Sequence, residues 1–201
     1  MAFFNDLRFE PKRKFRFMVT FTGPGLASGL KYMVTQADKP KFDSKVHEHQ
    51  VLNHVFKFPG VVTWSDVSVT FIDAKEPNVG STFYASLLNA GYMKPLNQDA
   101  VASGLTKFSS HQALGEVKIQ QLDGGVQAGG PLTADELGGL VNRVADTNII
   151  EEWTLKNAFI KGAEFGTLNY GEEGLVEVKL DLVYDYADLA LKGTPIQKSS
   201  T

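Results

Sequence analysis

The sequence predicts a mainly β protein: an antiparallel β-barrel or sandwich with a flanking α-helix and a loop insertion. Three observations carry this expectation. Residues 64–72 and 175–186 alternate apolar and polar side chains, the period-2 signature of half-buried strands. The most convincing helical spacing falls between Pro77 and Gly91, where Val79, Phe83, Leu87 and Leu88 form one apolar face. Glycine and proline clusters punctuate the rest of the 201 residues into short strand-like runs.

Taken in order, residues 1–13 form a mixed arm that runs into the basic stretch Lys12-Arg13-Lys14. Residues 14–22 place Phe15, Phe17, Val19 and Phe21 on one strand face, and Gly23-Pro24-Gly25 stops the strand. Residues 31–36 and 44–51 read as two further strands joined by a polar connection, 37–43, that contains Pro40. His54–Phe58 reads as a short strand ended by Pro59-Gly60. Residues 64–72 put Val67, Val69 and Phe71 on one side and Asp66, Ser68 and Thr70 on the other. The helix follows, with Pro77 near its start and Gly91 past its end. Residues 92–114 read as irregular, and Glu116–Leu122 as a strand.

The texture changes over 124–149. Thr133 and Glu136 have capping-box spacing ahead of Leu137, Leu140, Val141 and Val144, which predicts a short helix inside an insertion between two strands. Two long strands then finish the fold: Glu151–Lys161, with Trp153, Leu155 and Phe159, and Leu175–Tyr186, with Val176, Val178, Leu180, Leu182 and Tyr184. A glycine-rich turn joins them, and the tail from Gly193 is polar.

Composition narrows the function. Hydrophobic residues are 43% and charged residues 21%, proportions of a soluble globular chain able to build its own core. There is no cysteine, which excludes disulfide scaffolds, thiolate metal sites and cysteine nucleophiles. A net charge of −3 disfavours a dedicated DNA binder. No apolar run reaches the roughly 18 residues of a membrane span, and the N-terminal segment lacks the apolar stretch of a signal peptide.

Chemistry is sparse. His47 and His49 point the same way on a strand, as a metal pair would, with His54 or Glu48 as a third ligand. Glu48 points to the opposite face, so the expected reading is a polar strand face; a metal-dependent β-barrel enzyme using His47 and His49 is the alternative from a different class. No nucleophile elbow, P-loop or zinc-protease motif occurs. The glycine pairs 124–125, 129–130 and 138–139 do not open helices after strands, so they mark turns and no dinucleotide site. The expectation is a non-enzyme with no cofactor.

Across most of the chain the order of segments resembles the bacteriophage tail tube protein family, closest to the contractile-tail type. The resemblance is carried by Trp153, Leu155, Ala158 and Phe159 in a W-x-L-x-x-A-F strand, by Phe165-Gly166-Thr167-Leu168-Asn169-Tyr170, and by the last alternating strand closing on Tyr184-Asp185-Tyr186. Phe58-Pro59-Gly60 through Asp73 is similar to the family's central strand, Asn78–Tyr92 to the helix after it, and Phe15–Val19 to its N-terminal strand. Residues 124–149 are longer than the family's usual connection.

What the resemblance implies is structural: a single tail-tube-like domain over 1–201, a virion component assembled in the host cytoplasm. Six subunits would close into a ring by extending sheets between neighbours, and rings would stack into a hollow tube through which double-stranded DNA passes at ejection, transiently and without sequence preference. The partners implied are further copies of the chain, a sheath, a baseplate or tube initiator, a tail terminator and a tape-measure protein, with no membrane. A tube initiator of the baseplate and the inner tube of a bacterial injection system are close alternatives; a DNA-binding barrel, retaining duplex in a steeply salt-dependent way, is a more distant one.

Electrostatics agrees with a conduit. A side chain facing the channel repeats in every subunit, and a basic lumen would hold a polyanion through many phosphate contacts. A charge of −3 per subunit becomes about −18 for six. Asp66, Ser68 and Thr70 are the first lumen candidates, with Glu177, Lys179 and Asp181 second. Asp38, Lys39, Lys41 and Phe42 of the 37–43 connection, and Arg13 of the arm, are candidates for contact between rings.

Overall fold

A computed structural model of the chain describes residues 11–24, 26, 30–94, 104–122, 149–171, 173–191 and 194–195. The expected insertion at 124–149, with its short helix, lies almost wholly outside the described residues, as do residues 1–10 and most of the tail.

Two antiparallel sheets stack around one core. The first has the order β1 (Phe17–Phe21), β6 (Val117–Leu122), β7 (Ile149–Lys156), β10 (Tyr186–Leu191) and β11 (Thr194–Pro195). The second has the order β2 (Val34–Ala37), β5 (Val67–Ile72), β9 (Glu177–Val183) and β8 (Phe159–Glu164). Alternation decides the inner faces: Val19, Val117, Ile119 and Leu155 from the first sheet meet Val67, Val69, Phe71, Val178, Leu180 and Leu182 from the second. Among the described residues each sheet keeps two free edges, so the arrangement is an open sandwich, which corrects the barrel alternative.

Helix α1 (Val79–Asn89) closes one end of the sandwich. Its start is fixed by Asn78, whose side chain accepts from the Ser81 amide at 2.6 Å, and by Asp73, whose carboxylate accepts from the Val79 amide at 3.0 Å. Phe83 drops from it between Phe21 and Phe71, with ring centroids 6.0 and 5.2 Å apart. A second helix, α2 (Lys107–Leu114), replaces part of the irregular stretch expected over 92–114. Its apolar periodicity is weak, and its supports are polar. Thr106 and Ser109 form a reciprocal cap, Ser109 Oγ donates to the Ala90 carbonyl at 2.7 Å, and His111 Nδ1 lies 3.2 Å from the Ala158 carbonyl.

Each of the two long C-terminal strands is in fact two strands that change sheets. The first breaks at Asn157, which takes a left-handed φ of 56°, separating β7 from β8. The second breaks at Tyr184-Asp185, separating β9 from β10. The breaks are adjacent in space and knit together. Asn157 Nδ2 donates to Asp185 at 2.7 Å, the Asp185 amide donates to the Lys156 carbonyl at 3.0 Å, and Lys107 of α2 pairs with Asp185 at 2.6 Å. The hydrogen bond and the charge of Lys107, helped by Asn157, hold the Asp185 carboxyl below its ordinary range.

The largest departure lies between β2 and β5. Strands β3 (Lys41–Val51) and β4 (His54–Ser65) pair along nearly their whole lengths as one hairpin. Pro59 does not end a strand: it stands opposite Val46 beside a register shift, where its missing N–H is tolerated. The polar connection shrinks to Asp38-Lys39-Pro40.

Candidate assembly surfaces

Three surfaces stand out, each placed by a different part of the fold. The first is the outer face of the β2-β5-β9-β8 sheet. Because Val67, Val69 and Phe71 point inward, Ser68 and Thr70 point out, and the register sets Ser68 opposite Asp181, Thr70 opposite Lys179 and Ile72 opposite Glu177. The two sets of lumen candidates therefore share one face. Ser68 Oγ donates to Asp181 at 2.5 Å, Lys161 pairs with Asp66 at 2.6 Å, and Lys179 lies 3.7 Å from Asp181. The Asp66 carboxylate raises the Lys161 ammonium above its ordinary pKa. Glu164 and Glu177 add negative charge, so carboxylates outnumber ammonium groups and both ammonium groups stand beside a carboxylate.

The second surface is the hairpin. Cross-strand pairs His47–Phe58, His49–Phe56 and Val51–His54 put six side chains on one face. Val46, Glu48, Gln50, Val55, Lys57 and Pro59 occupy the other, where Lys57 and Glu48 pair at 3.5 Å. Phe56 and Phe58 are about half exposed, at 48% and 53%. Gly60 makes room on the histidine face: a Cβ there would stand 2.9 Å from the His47 ring. At the base, Phe42 packs on Trp64 and Trp64 on Tyr184, centroids 5.5 and 6.0 Å apart, which ties the hairpin to the sandwich. The turn at the tip holds Leu52, 90% exposed, in a left-handed φ of 53°.

The third is the end of the sandwich from which the hairpin leaves. A cleft of about 700 Å³ opens there over Phe17, Ile119 and Trp153, rimmed by Lys12, Lys14 and Lys39. Beside it Glu151 is buried, and it accepts from Lys12, from Lys39 at 2.8 Å and from Trp153 Nε1 at 2.6 Å. Burial alone would push this carboxyl up; the hydrogen bonds of Lys12, Lys39 and Trp153 outweigh it and bring the pKa down to about 2.

The candidates for contact between rings separate accordingly. Lys39 is drawn onto the sandwich by Glu151 and by Gln121 at 2.7 Å, and the Asp38 amide donates to Ser68 at 3.0 Å. Lys41 and Phe42 belong to the hairpin base, and the Arg13 carbonyl accepts from the Gln121 side chain at 3.3 Å. The exposed tip and aromatic face of the hairpin were missed from sequence. The available signal was the alternation on both sides of Leu52-Asn53, which continues through Pro59.

His47, His49 and His54 share a face of the hairpin, and among the described residues no group of three or more His, Asp or Glu side chains is placed to hold a metal ion. The histidines lie on the exposed hairpin and line neither the cleft above nor a second one, of about 460 Å³, between the 166–176 loop and Thr70, Lys179 and Glu177. No described helix is long and apolar enough to cross a membrane.

No protein-family model matches the chain, and no curated protein matches its sequence. Solved structures do match its fold. A chain of the anti-feeding prophage baseplate, from a 6-fold symmetrised cryo-EM structure, superposes with a TM-score of 0.60 at 12% identity, over 91% of this chain and 97% of that one. A chain of the anti-feeding prophage tube-terminating cap gives 0.59 at 15% identity, over 95% and 99%. A chain of the sheath/tube terminator of the PVC extracellular contractile injection system gives 0.58 at 14% identity, over 91% and 99%. The fold is that of parts of contractile injection machines, over nearly the full length of both partners.

Proposed function

We propose that this chain is the wall subunit of a hollow tube, built from rings of copies that stack along an axis, and that it works without a reactive group of its own. The observation that carries the reading is the β3–β4 hairpin. A complete sandwich with its own core has no folding need for an apolar arm held out in solvent, and an exposed aromatic face of that size marks a contact with another molecule. The free edges β2, β8 and β1 suit sideways pairing between copies, which would otherwise be a hazard.

The polar outer face of the β2-β5-β9-β8 sheet lines the channel in this reading. Its charges lie in pairs and its surplus is negative, so a polyanion sliding past meets no row of cations. Double-stranded DNA is the cargo proposed, and a phage tail the setting, with a sheath outside and initiator, terminator and tape-measure proteins as partners. The likeness to chains of two injection systems favours a second reading, the inner tube of such a system or a ring at its end.

Sedimentation velocity and negative-stain microscopy over a concentration series test the tube. Rings and hollow filaments are expected. Monomers at every concentration and salt would contradict it, and tight retention of duplex DNA by the unassembled chain would point to a binding protein instead.

A further inference from the structure

We infer that the lysine-rimmed cleft binds an extended peptide segment of a partner protein, one that presents an aromatic side chain and, two residues on, a carboxylate. The inference goes beyond the tube reading and does not depend on it. Chemistry comes first. The floor of the cleft is apolar: Ile119 is buried there, and Phe17 and Trp153 are half-buried. The rim is basic: Lys12, Lys14 and Lys39 outnumber the two carboxylates beside them, Asp38 and Glu151. The chain as a whole carries −3, so this positive surplus is local. Glu151 engages Lys12 and Lys39, and among the described residues no carboxylate holds Lys14. One surplus ammonium group beside an apolar floor complements a monoanion with an apolar body, and suits a carboxylate better than a phosphate dianion.

The site is set before a ligand arrives. Glu151 fixes the Trp153 ring by accepting from Nε1 at 2.6 Å, and it holds two of the three lysines in place. Lys39 donates a second bond to Gln121 at 2.7 Å. Side chains ordered in advance lose little further freedom on binding. A volume of about 700 Å³ suits a ligand of drug size or a few residues of peptide.

The backbone beside the cleft makes the ligand a peptide. Thr35, Gln36 and Ala37 line one side, and they belong to β2, the outermost strand of its sheet. Among the described residues no strand pairs beyond it, so its outer N–H and C=O groups are open to an extended chain. Side chains of an extended chain alternate, so residues i and i+2 turn to the same side. One reaches the apolar floor and the other the lysines. A free fatty acid would meet both but leave the strand edge unused. In an assembled ring a neighbouring copy paired on β2 would cover the same edge, so binding is measured on dilute, dissociated chain.

The test uses the full chain with Trp64→Phe, which leaves Trp153 of the two tryptophans to report the cleft by its fluorescence. Circular dichroism confirms that each variant folds. The peptide acetyl-Thr-Phe-Thr-Asp-Thr-amide should shift the Trp153 emission and saturate. Replacing its aspartate with asparagine should weaken binding about tenfold, the loss of a hydrogen bond to a charged group. Reordering it to acetyl-Thr-Phe-Asp-Thr-Thr-amide, which turns the carboxylate to the far side, should weaken it as much. In the protein, Lys14→Gln should cost about fivefold and Lys14→Arg little. Absence of any response up to about 1 mM peptide, equal binding of the asparagine or reordered peptide, indifference to Lys14→Gln, or tighter binding of decanoate would each overturn the inference. Filament formation by the wild-type chain is a separate measurement, so failure here leaves the tube reading standing.

Discussion

Replacing Glu151 with Gln removes one charge and little else. The amide keeps an oxygen for Trp153 Nε1 but no longer attracts Lys12 and Lys39 as an ion. The carboxyl is lowered from 4.5 to about 2, which by linkage is about 3 kcal/mol in favour of the fold at neutral pH. The lysine side chains are 45% and 48% exposed, so solvent screens part of this, and about 2 kcal/mol is the expected loss. The folded-state pKa lies below the unfolded one, so the contribution is full above pH 4.5 and disappears as pH falls toward 2. From the linkage expression, about 60% of it survives at pH 3.5 and about a quarter at pH 2.5. Urea unfolding of the dissociated chain, with and without Glu151→Gln, measures this directly. At pH 7 the midpoint should fall by about 1 M for a slope near 2 kcal/mol/M. The gap should narrow steadily in acid. Equal midpoints at pH 7, or a gap that ignores pH, would refute the reasoning.

Other substitutions probe the corners and the tip. Asn157→Ala loses the bond to Asp185 and places a Cβ residue without local compensation at φ 56°, so a cost of about 2 kcal/mol is expected in chemical denaturation, with Asn157→Gly costing less. Gly115 has φ 72°, and a Cβ there would stand 2.3 Å from the Gly23 amide nitrogen; Gly115→Ala should lower stability by about 3 kcal/mol or prevent soluble expression, in line with overpacking plus backbone strain. Leu52→Asn suits the left-handed tip better, and hydrogen exchange of the β3–β4 amides should slow by about fivefold, the equivalent of about 1 kcal/mol.

Strands β5 and β9 and helix α1 were legible because their period matches what covers them: sheet alternation over a core, and one apolar helix face on that core. The sheet changes at Asn157 and Tyr184-Asp185 were not. Trp153 and Leu155 face the core on β7, but beyond Asn157 the core-facing residues are Ala158 and Ile160 while Phe159 stands opposite Val183, so the alternation slips by one at the corner, and the local trace is a pair of residues tolerant of tight backbone. Helix α2 was missed because capping and side-chain hydrogen bonds hold it, not an apolar stripe. The hairpin was half legible. Its alternation was visible, but alternation reports a two-faced strand without reporting whether the chain itself or another molecule covers the apolar face. The polar face carrying Asp66, Ser68, Thr70, Glu177, Lys179 and Asp181 was readable residue by residue, although only the register of β5 on β9 joins the two groups.

The chain contains no cysteine, so a single Asp66→Cys substitution gives one clean probe on the face assigned to the channel. Assembled protein carrying it should react with a small maleimide and resist a maleimide on a long polymer chain too wide for the lumen, whereas dissociated subunits should accept both. Equal reaction of the assembly with both reagents would place this face on the outside and contradict the account.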